Sequence, residues 1–453
     1  MRIRLRSLGL LRWKEIFPTR RVLGLALFVC VVAPATFVWL QIDDNPKFSP
    51  IDEPAHFDYV DRISHGEVPR QGQRLLLSTL REQACRSISF VESRAPPCDT
   101  PHLTYGMFSA TWQYEAQQPP IYYAVALPLR WAIQHIFGIE DKLRATRAAN
   151  IIWLAGGLLL LWAAGTIMGI APLTLGAALL LLVASPNFIY FGATVTNDIT
   201  GISAAGLVAF VAALAYRHGG APMPIALFAA GALAAGLKIT NLFVVVTVSA
   251  AFAVRAVAQR PRGEGWPATM RHWLSDGGAL LAGGLATAAI WGIIHRSRSL
   301  IDLTEEPSFD VLRTVPRTFG LVAERAIELF TPLGTSALSD SLSHPIQVPL
   351  YRILAYLLIA AALAGLFASP RRWPHVLGLI SVTVLYVGGM ALGAALMINY
   401  DIDPRLSGRY AISMGPLGVL VLAGAVAGKW ARRALVTISA VYFLTMFGLL
   451  LSA

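Results

Sequence analysis

Long apolar runs constrain this chain more than any other feature of its sequence. They consist mainly of Leu, Ala, Val, Ile and Gly, and many are long enough to cross a hydrocarbon layer of about 30 Å. Hydrophobic residues make up 55% of the 453 residues and charged residues only 14%, against roughly a quarter charged in soluble domains. The runs lack the strict alternation of barrel strands, and lipid admits only helices and closed barrels. The sequence therefore predicts an all-α polytopic membrane protein.

The apolar runs divide into eleven full spans and one segment of a different kind. The spans are expected near 22–41, 146–168, 171–188, 198–216, 222–237, 239–257, 277–295, 351–368, 374–398, 411–427 and 434–452. A twelfth apolar segment, 119–137, begins with a proline pair, and counting it as a span breaks the parity of the flanking loops. We expect it to be re-entrant or juxtamembrane. A single transmembrane domain, 22–453, then follows a basic N-terminus, 1–21.

Basic residues assign the two sides of this bundle. Residues 1–21 carry seven basic side chains and one acid, and further basic clusters lie in short segments beside apolar runs. Those clusters are at 255–272, 371–372 and 429–433. Short cytoplasmic loops are rich in Lys and Arg, so we expect a cytoplasmic N-terminus and extracytoplasmic loops at 42–118 and 296–350. The net charge of +11 thus directs membrane topology, and no nucleic-acid partner is expected.

The same topology puts the unusual polar clusters of the chain at one membrane surface. They are residues 52–61, residues 197–198, Lys238 and residues 399–410. Their convergence predicts a site at the extracytoplasmic boundary of the membrane.

The densest of these clusters begins with the sequence SPIDEPAHF, directly after the first span. Asp52 and Glu53 precede Pro54, which is typical of a helix start, where carboxylates complement the helix dipole. One interpretation is a helix cap; the other is a general base in a partly dehydrated site. His56 shares a helix face with Asp52, where it can orient that carboxylate or contact substrate. A divalent cation is possible, but the ligand spacing does not support one.

Two further segments carry polar groups near the predicted boundary. Gln118, Tyr122 and Tyr123 lie in TWQYEAQQPPIYYAVALP, which is either an aromatic belt or a lining for an isoprenoid chain and its headgroup. Asn197 and Asp198 interrupt a nearly uncharged region, either as a helix N-cap or as functional groups at the boundary.

Cations come from the middle and the end of the chain. Lys238 either snorkels to the surface or pairs with an anionic headgroup. Arg405 and Arg409, in NYDIDPRLSGRYAISMGP, are placed against the positive-inside trend, and the planar guanidinium of Arg suits phosphate. Acids near the first span together with these cations are what transfer from a lipid phosphate to an acceptor hydroxyl requires. The acid takes the hydroxyl proton, and the cations stabilise charge on the departing phosphate.

The sequence contains three cysteines, and the bonding state of two of them has two interpretations. Cys30 lies in the first span and is expected to be a small apolar filler. Cys85 and Cys98 both lie in the loop 42–118, where they form either a disulfide or two free thiols.

The order of these motifs resembles that of a known family. IDEPAHFDYV, YEAQQPPIYY, TND, KITN and SGRY occur in this order between about residue 45 and residue 415. They resemble a family of bacterial membrane proteins catalogued as a domain of unknown function (number 2142). That family is similar to the GT-C superfamily of membrane glycosyltransferases, which includes protein mannosyltransferases and aminoarabinose transferases. Those enzymes use polyprenyl-phosphate-linked sugars and generally invert the sugar carbon.

The resemblance implies a role for each motif. Asp52 would be the catalytic base and Glu53 its assisting acid, while Lys238 and Arg409 would contact the donor phosphate. Asn197 and Asp198 would lie near the sugar. The remaining expected binding residues are His56, Gln118, Tyr122, Tyr123, Arg405 and Tyr410. No large soluble domain follows the last predicted span, so acceptor recognition is expected in 62–118 and 296–350.

The leading hypothesis is therefore an inverting GT-C-like glycosyltransferase in the bacterial inner membrane. Its donor would be a polyprenyl-phosphate-linked sugar and its acceptor an extracytoplasmic glycan, lipid or protein hydroxyl. The alternative is a transporter or a flippase for lipid-linked sugars, which predicts polar groups near the bilayer midplane and repeated halves. A non-catalytic assembly scaffold is a third hypothesis, and it leaves the carboxylate cluster unexplained.

Overall fold

The architecture is helical in the part of the chain that the computed structural model describes. That part comprises residues 13–89, 95–109, 111–258, 270, 273–302, 318–331, 372–400 and 406–452. A single turn, Trp13–Ile16, precedes the first long helix. In chain order the helices are α1 (Arg20–Asp44), α2 (Glu53–Ser64), α3 (Leu77–Arg86), α4 (Ile121–Phe137), α5 (Lys142–Ile167), α6 (Pro172–Val183), α7 (Pro186–Gly192), α8 (Thr200–His218), α9 (Met223–Leu237), α10 (Leu242–Ala258), α11 (Ala279–Arg298), α12 (Phe319–Glu328), α13 (Arg372–Tyr400), α14 (Met414–Ala425) and α15 (Lys429–Leu451).

The predicted class of an all-α polytopic membrane protein is confirmed. Among the described residues, seven helices are long and apolar enough to cross a membrane: α1, α5, α8, α10, α11, α13 and α15. The predicted span 171–188 is instead two helices, α6 and α7, which meet at an angle of 63° and form a broken span or a re-entrant loop. The predicted spans 222–237 and 411–427 coincide with the shorter apolar helices α9 and α14. The predicted span 351–368 lies outside the described residues.

Helix α4 does not run from one end of the bundle to the other. The segment before it and the start of α5 after it lie at the end of the bundle where α1 stops. There Arg144 pairs with Asp43, and Arg147 donates to the backbone oxygen of Lys47 at 2.7 Å. Along its length α4 packs against α2, with Arg130 3.9 Å from Asp61. The structure thus places α4 beside α2 at this end of the bundle, and its expected re-entrant or juxtamembrane position stays a prediction.

Close backbone contact between α5 and α8 fixes the two helices that carry much of the site. At Gly206 of α8, a methyl group in place of the hydrogen would overlap the backbone oxygen of Gly157 in α5. Small residues allow such close helix contacts in a membrane, where lipid gives no hydrophobic drive for association. The register of these two helices is therefore set by a steric fit.

The loop between α1 and α4 is ordered around buried polar groups. Asp58 of α2 is fully buried and accepts hydrogen bonds from the backbone of Leu76, from Thr79, from Arg62 and from Gln113. A disulfide joins Cys85 and Cys98, for which the sequence allowed either a disulfide or two free thiols. The buried acceptor on α2 thus anchors the loop segments that pass over the bundle.

Basic residues gather at the opposite end of the bundle. Helix α8 begins beside Asp198 and ends with Arg217 and His218. Arg255, in the last turn of α10, lies over the ring of Tyr216, and α15 begins at Lys429. The end of the bundle at the start of α2 thus has buried acids and cations in contact, and at the opposite end Arg217, His218 and Lys429 are exposed.

Candidate functional site

The site begins with an unusual backbone conformation at Asp52. This residue stands at the N-cap position of α2 with φ 61° and ψ 0°, in the left-handed region, and its side chain makes no capping hydrogen bond. L-residues seldom adopt this conformation, although Asp tolerates it better than most. The expected acidic helix start is found here, but the Asp52 side chain does not cap it, because its carboxylate accepts from the Arg409 guanidinium at 2.5 Å instead.

A second ion pair continues from the first. Lys238 and Asp198 are in direct contact, and both side chains are almost completely buried. Arg409 lies 3.7 Å from the same Asp198 carboxylate, so one continuous line of alternating charges connects four residues. We call Asp52, Arg409, Asp198 and Lys238 the charge chain. The ring of Tyr410 lies beside both cations, with centroid distances of 5.6 Å to Lys238 and 5.2 Å to Arg409.

Short 3₁₀ turns place the members of the charge chain. Thr196 caps the turn Asn197–Ile199 by accepting from the backbone of Asp198, and Ser407 caps the turn Gly408–Ala411 in the same way. Thr196 thus caps the turn that leads into α8, while the N-cap position of α8 itself is Ile199, which makes no side-chain cap. The interpretation of Asn197 or Asp198 as the cap of this helix is therefore wrong. Because the cap is made elsewhere, the Asp198 carboxylate is free to contact Lys238.

A polar and aromatic layer lies beside the charge chain. The hydroxyl of Thr196 donates to Asp198 at 3.0 Å, so it can only accept from the Nε2 of His56, 3.3 Å away. We infer that His56 carries its proton on Nε2 and accepts on Nδ1 from the Tyr123 hydroxyl at 2.8 Å. The ring of Tyr59 stacks on Tyr123 at 3.7 Å. Asn197 donates to the Gln118 side chain at 3.2 Å.

Glu115, which is not among the site residues expected from the sequence, joins this layer. It lies in the turn Tyr114–Gln117, is 6% exposed, and places Oε2 3.7 Å from His56 Nε2. Gln113 fixes the turn, because its side chain accepts from the backbone of Glu115 and donates to the backbone oxygen of Ala55 in α2. The neighbouring Tyr114 lies beside the Asp52 carboxylate.

The pKa values of these groups shift in different directions. Burial raises the pKa of Asp52, but the charge of Arg409 opposes it and leaves the pKa below its usual value. Burial and the nearby Asp52 charge raise the pKa of Glu115 to about 8. Burial lowers the pKa of His56 to about 3, although the Asp52 charge acts in the opposite direction. At neutral pH the site therefore holds an ionised Asp52, a neutral His56 and a largely protonated Glu115.

Glu53 is not part of the charge chain. Its carboxylate is fully buried and accepts two hydrogen bonds from Arg147 of α5, at 2.8 and 2.6 Å. It also accepts from the backbone N–H groups of Ser49 at 2.6 Å and Val195 at 2.7 Å. With four donors its oxygens have no capacity left for a substrate proton, and we correct the expected role of assisting acid to one of positioning.

Of the other residues expected in the site, Tyr122 points into the helix bundle and Arg405 lies outside the described residues. The Tyr122 hydroxyl donates to Asn150 of α5 at 2.9 Å, within the bundle. Among the described residues, no group of three or more His, Cys, Asp or Glu side chains is arranged to hold a metal ion.

The sequence contained signals for two residues that were missed. Glu115 is the only acidic residue between Asp99 and Glu140, in a segment otherwise rich in aromatic and apolar residues. Arg147 is a basic residue in the first turns of a predicted span, where an unpaired charge is costly. A charge at either position indicates a buried partner, because an unpaired one there is costly.

Comparisons with protein-family models, with curated proteins and with solved structures found no match to this chain.

Proposed function

We propose that this protein is an integral membrane glycosyltransferase that moves a sugar from a polyprenyl-phosphate donor to an acceptor hydroxyl. The observation that carries the proposal is the charge chain at one end of the bundle, with a carboxylate in contact with a guanidinium beside a second cation. A base for a hydroxyl and two cations for a phosphate are the groups that this transfer needs. The resemblance of the motifs to a GT-C-like family supports the same reaction class and a GT-C-like bundle.

In the proposed reaction, Asp52 accepts the proton of the acceptor hydroxyl. The acceptor oxygen forms a bond to the anomeric carbon of the sugar while the bond from that carbon to the phosphate oxygen breaks. The electron pair leaves with the phosphate, whose charge Arg409 and Lys238 stabilise. A single displacement from the face opposite the phosphate inverts the sugar carbon. The products are a glycoside, a polyprenyl phosphate and a protonated Asp52.

The contact between Asp52 and Arg409 then represents the resting state. A donor phosphate competes with Asp52 for the guanidinium, because Arg binds both anions through the same planar pair of N–H groups. Once Arg409 turns to the phosphate, the charge that lowers the pKa of Asp52 is partly neutralised, and the carboxylate becomes a stronger base. Donor binding thereby activates the base.

The proposed location is a bacterial inner membrane, with the site on the extracytoplasmic side. Arg217, Arg255 and Lys429 lie at the end opposite to the charge chain, and cytoplasmic ends are the basic ones. The acceptor, an extracytoplasmic glycan, lipid or protein, would approach over the loop 62–118. No resident cofactor is part of the proposal.

Purified protein in proteoliposomes with a polyprenyl-phosphate-linked sugar and candidate acceptors tests this function. We expect a glycosylated product and one polyprenyl phosphate for each sugar transferred, and neither product with Asp52→Asn. Translocation of the lipid-linked sugar without release of polyprenyl phosphate would reject the transferase and support a flippase.

A further inference from the structure

The carboxyl groups around the charge chain outnumber the cations among the described residues. Asp52, Asp198 and Glu115 are buried or half-buried there, while Lys238 and Arg409 are the cations that face them. The titratable and charged groups around Glu115 are Asp52, His56 and Tyr59 at the start and on the face of α2, Tyr114 on its own turn, Tyr123 of α4, Asp198 before α8, Lys238 before α10 and Arg409 before α14.

Both cations are already engaged by other carboxylates. Lys238 is in direct contact with Asp198, and Arg409 contacts Asp52 and lies close to Asp198. His56 is neutral at physiological pH and offers Glu115 no positive charge. Ionisation of Glu115 would therefore be unfavourable for two reasons. It would bury a charge without a cation to pair with it, and the carboxylates of Asp52 and Asp198 would repel that charge.

We propose that Glu115 carries a proton at neutral pH and donates a hydrogen bond to the phosphate of the lipid-linked donor. This inference rests on the proposed function, since it assigns Glu115 to the donor phosphate between Arg409 and Lys238. A protonated carboxyl group is a hydrogen-bond donor, whereas a carboxylate accepts only and repels an anion. Glu115 thus differs from Asp52 in the same site, since Asp52 must be ionised to act.

The surroundings of Glu115 and Asp52 favour opposite protonation states of their carboxyl groups. Burial and the Asp52 charge raise its pKa to about 8, while Arg409 holds the pKa of Asp52 below its usual value. Two carboxyl groups with pKa values displaced in opposite directions take opposite protonation states over a wide pH range. Donor binding should consequently weaken as pH rises above 8, when Glu115 loses its proton.

Binding of a polyprenyl monophosphate to the full chain in nanodiscs tests the assignment. For the wild type we expect the Kd to rise about tenfold for each pH unit above 8, since binding then requires uptake of one proton. Glu115→Gln keeps a neutral donor at this position, so we expect tight binding that stays nearly constant over the same range. Glu140→Gln, an exposed acid in the loop before α5, is the matched control and should follow the wild type.

Two measurements on the wild type test the assignment of Glu115 even if Glu115→Gln does not fold. Calorimetry of the wild type above pH 8, in buffers of different ionisation enthalpy, should show uptake of about one proton for each lipid bound. Infrared spectra at neutral pH should show the carbonyl stretch of a protonated carboxyl group that disappears above pH 9.

The outcomes separate the two proposals. Parallel pH dependence of binding in the wild type and Glu115→Gln, or absence of the protonated carboxyl band, would overturn the assignment of Glu115 and leave the proposed function standing. Absence of polyprenyl-phosphate binding at every pH would overturn both.

Discussion

Two neighbouring carboxylates, Asp52 and Glu53, have opposite surroundings although they are adjacent in the chain. Glu53 is fully buried, and its oxygens accept from Arg147 and from two backbone N–H groups. Asp52 is 22% exposed, stands in a left-handed backbone conformation and meets a guanidinium that is itself 15% exposed. One pair ties α2 to α5, and the other is partly exposed.

The difference shows how an ion pair that stabilises the fold is distinguished from one that serves a site. A buried pair is tolerated when every oxygen has a donor, and such saturation leaves nothing for a ligand. A partly exposed pair with an unfavourable backbone is retained only if the surrounding structure enforces it, which is common at functional sites. The fixed pair at Glu53 holds the start of α2, and this start imposes the conformation of Asp52.

The largest expected effect is the loss of transfer in Asp52→Asn. The amide cannot accept the acceptor proton, and loss of a general base lowers turnover by about 10²- to 10⁴-fold. The measurement is sugar transfer per folded protein in proteoliposomes. Asp44→Asn, the same chemical change at an exposed carboxylate eight residues earlier, should leave transfer unchanged. Full sugar transfer by Asp52→Asn would show that Asp52 is not the general base.

Next in size is the loss of stability in Glu53→Gln. Removing one partner of a buried pair leaves the Arg147 charge uncompensated, which costs about 3–5 kcal/mol. Thermal unfolding in detergent measures this cost, while transfer by the remaining folded protein should persist. Glu82→Gln breaks a partly exposed pair with Arg86 and should cost about 0–1 kcal/mol. Equal stability of Glu53→Gln and Glu82→Gln would show that the buried pair of Glu53 with Arg147 does not stabilise the fold.

A smaller effect is expected for Arg409→Lys. The substitution keeps the charge but loses the planar pair of N–H groups, so we expect the KM for the lipid-linked donor to rise about tenfold with a smaller change in kcat. Kinetics at varied donor concentration measure both constants. Arg433→Lys, at the opposite end of the bundle, is the control. A normal KM would mean that Arg409 serves Asp52 alone.

The smallest effect on transfer is expected when the disulfide is removed. Cys85 and Cys98 are exposed and tie a loop segment to the end of α3, away from the charge chain. The double substitution to Ser should leave transfer unchanged while limited proteolysis between these positions accelerates, because the loop gains conformational freedom. A large loss of transfer would show that this loop is coupled to the site.

Much of the fold follows from the sequence, because hydrophobic length determines where helices can cross. The apolar runs marked the positions of the described spans, while the loop-parity argument that 119–137 is re-entrant or juxtamembrane stays a prediction. The break between α6 and α7 was missed although Pro186 signals it, since the residue before a proline avoids helical geometry and Ser185 is extended. Periodicity of hydrophobic residues does not report such an angle.

The site was predictable only in part. Topology brought Asp52, Asp198, Lys238 and Arg409 to one membrane surface, and the structure joins them in the charge chain. The separation of Asp52 from Glu53 was not predictable, because it depends on the left-handed backbone of one residue and on the position of Arg147. The protonation of Glu115 depends on the charges of Asp52, Asp198, Lys238 and Arg409, which lie in four other segments, so no local sequence pattern predicts it.

A structure of the protein with a bound polyprenyl-phosphate sugar would test the proposed roles of Asp52 and Arg409. We expect the phosphate within hydrogen-bond distance of Arg409 and Lys238, with the anomeric carbon of the sugar turned toward Asp52 and the Asp52–Arg409 contact loosened. A lipid phosphate bound elsewhere, with the charge chain intact and closed to the sugar, would contradict these roles.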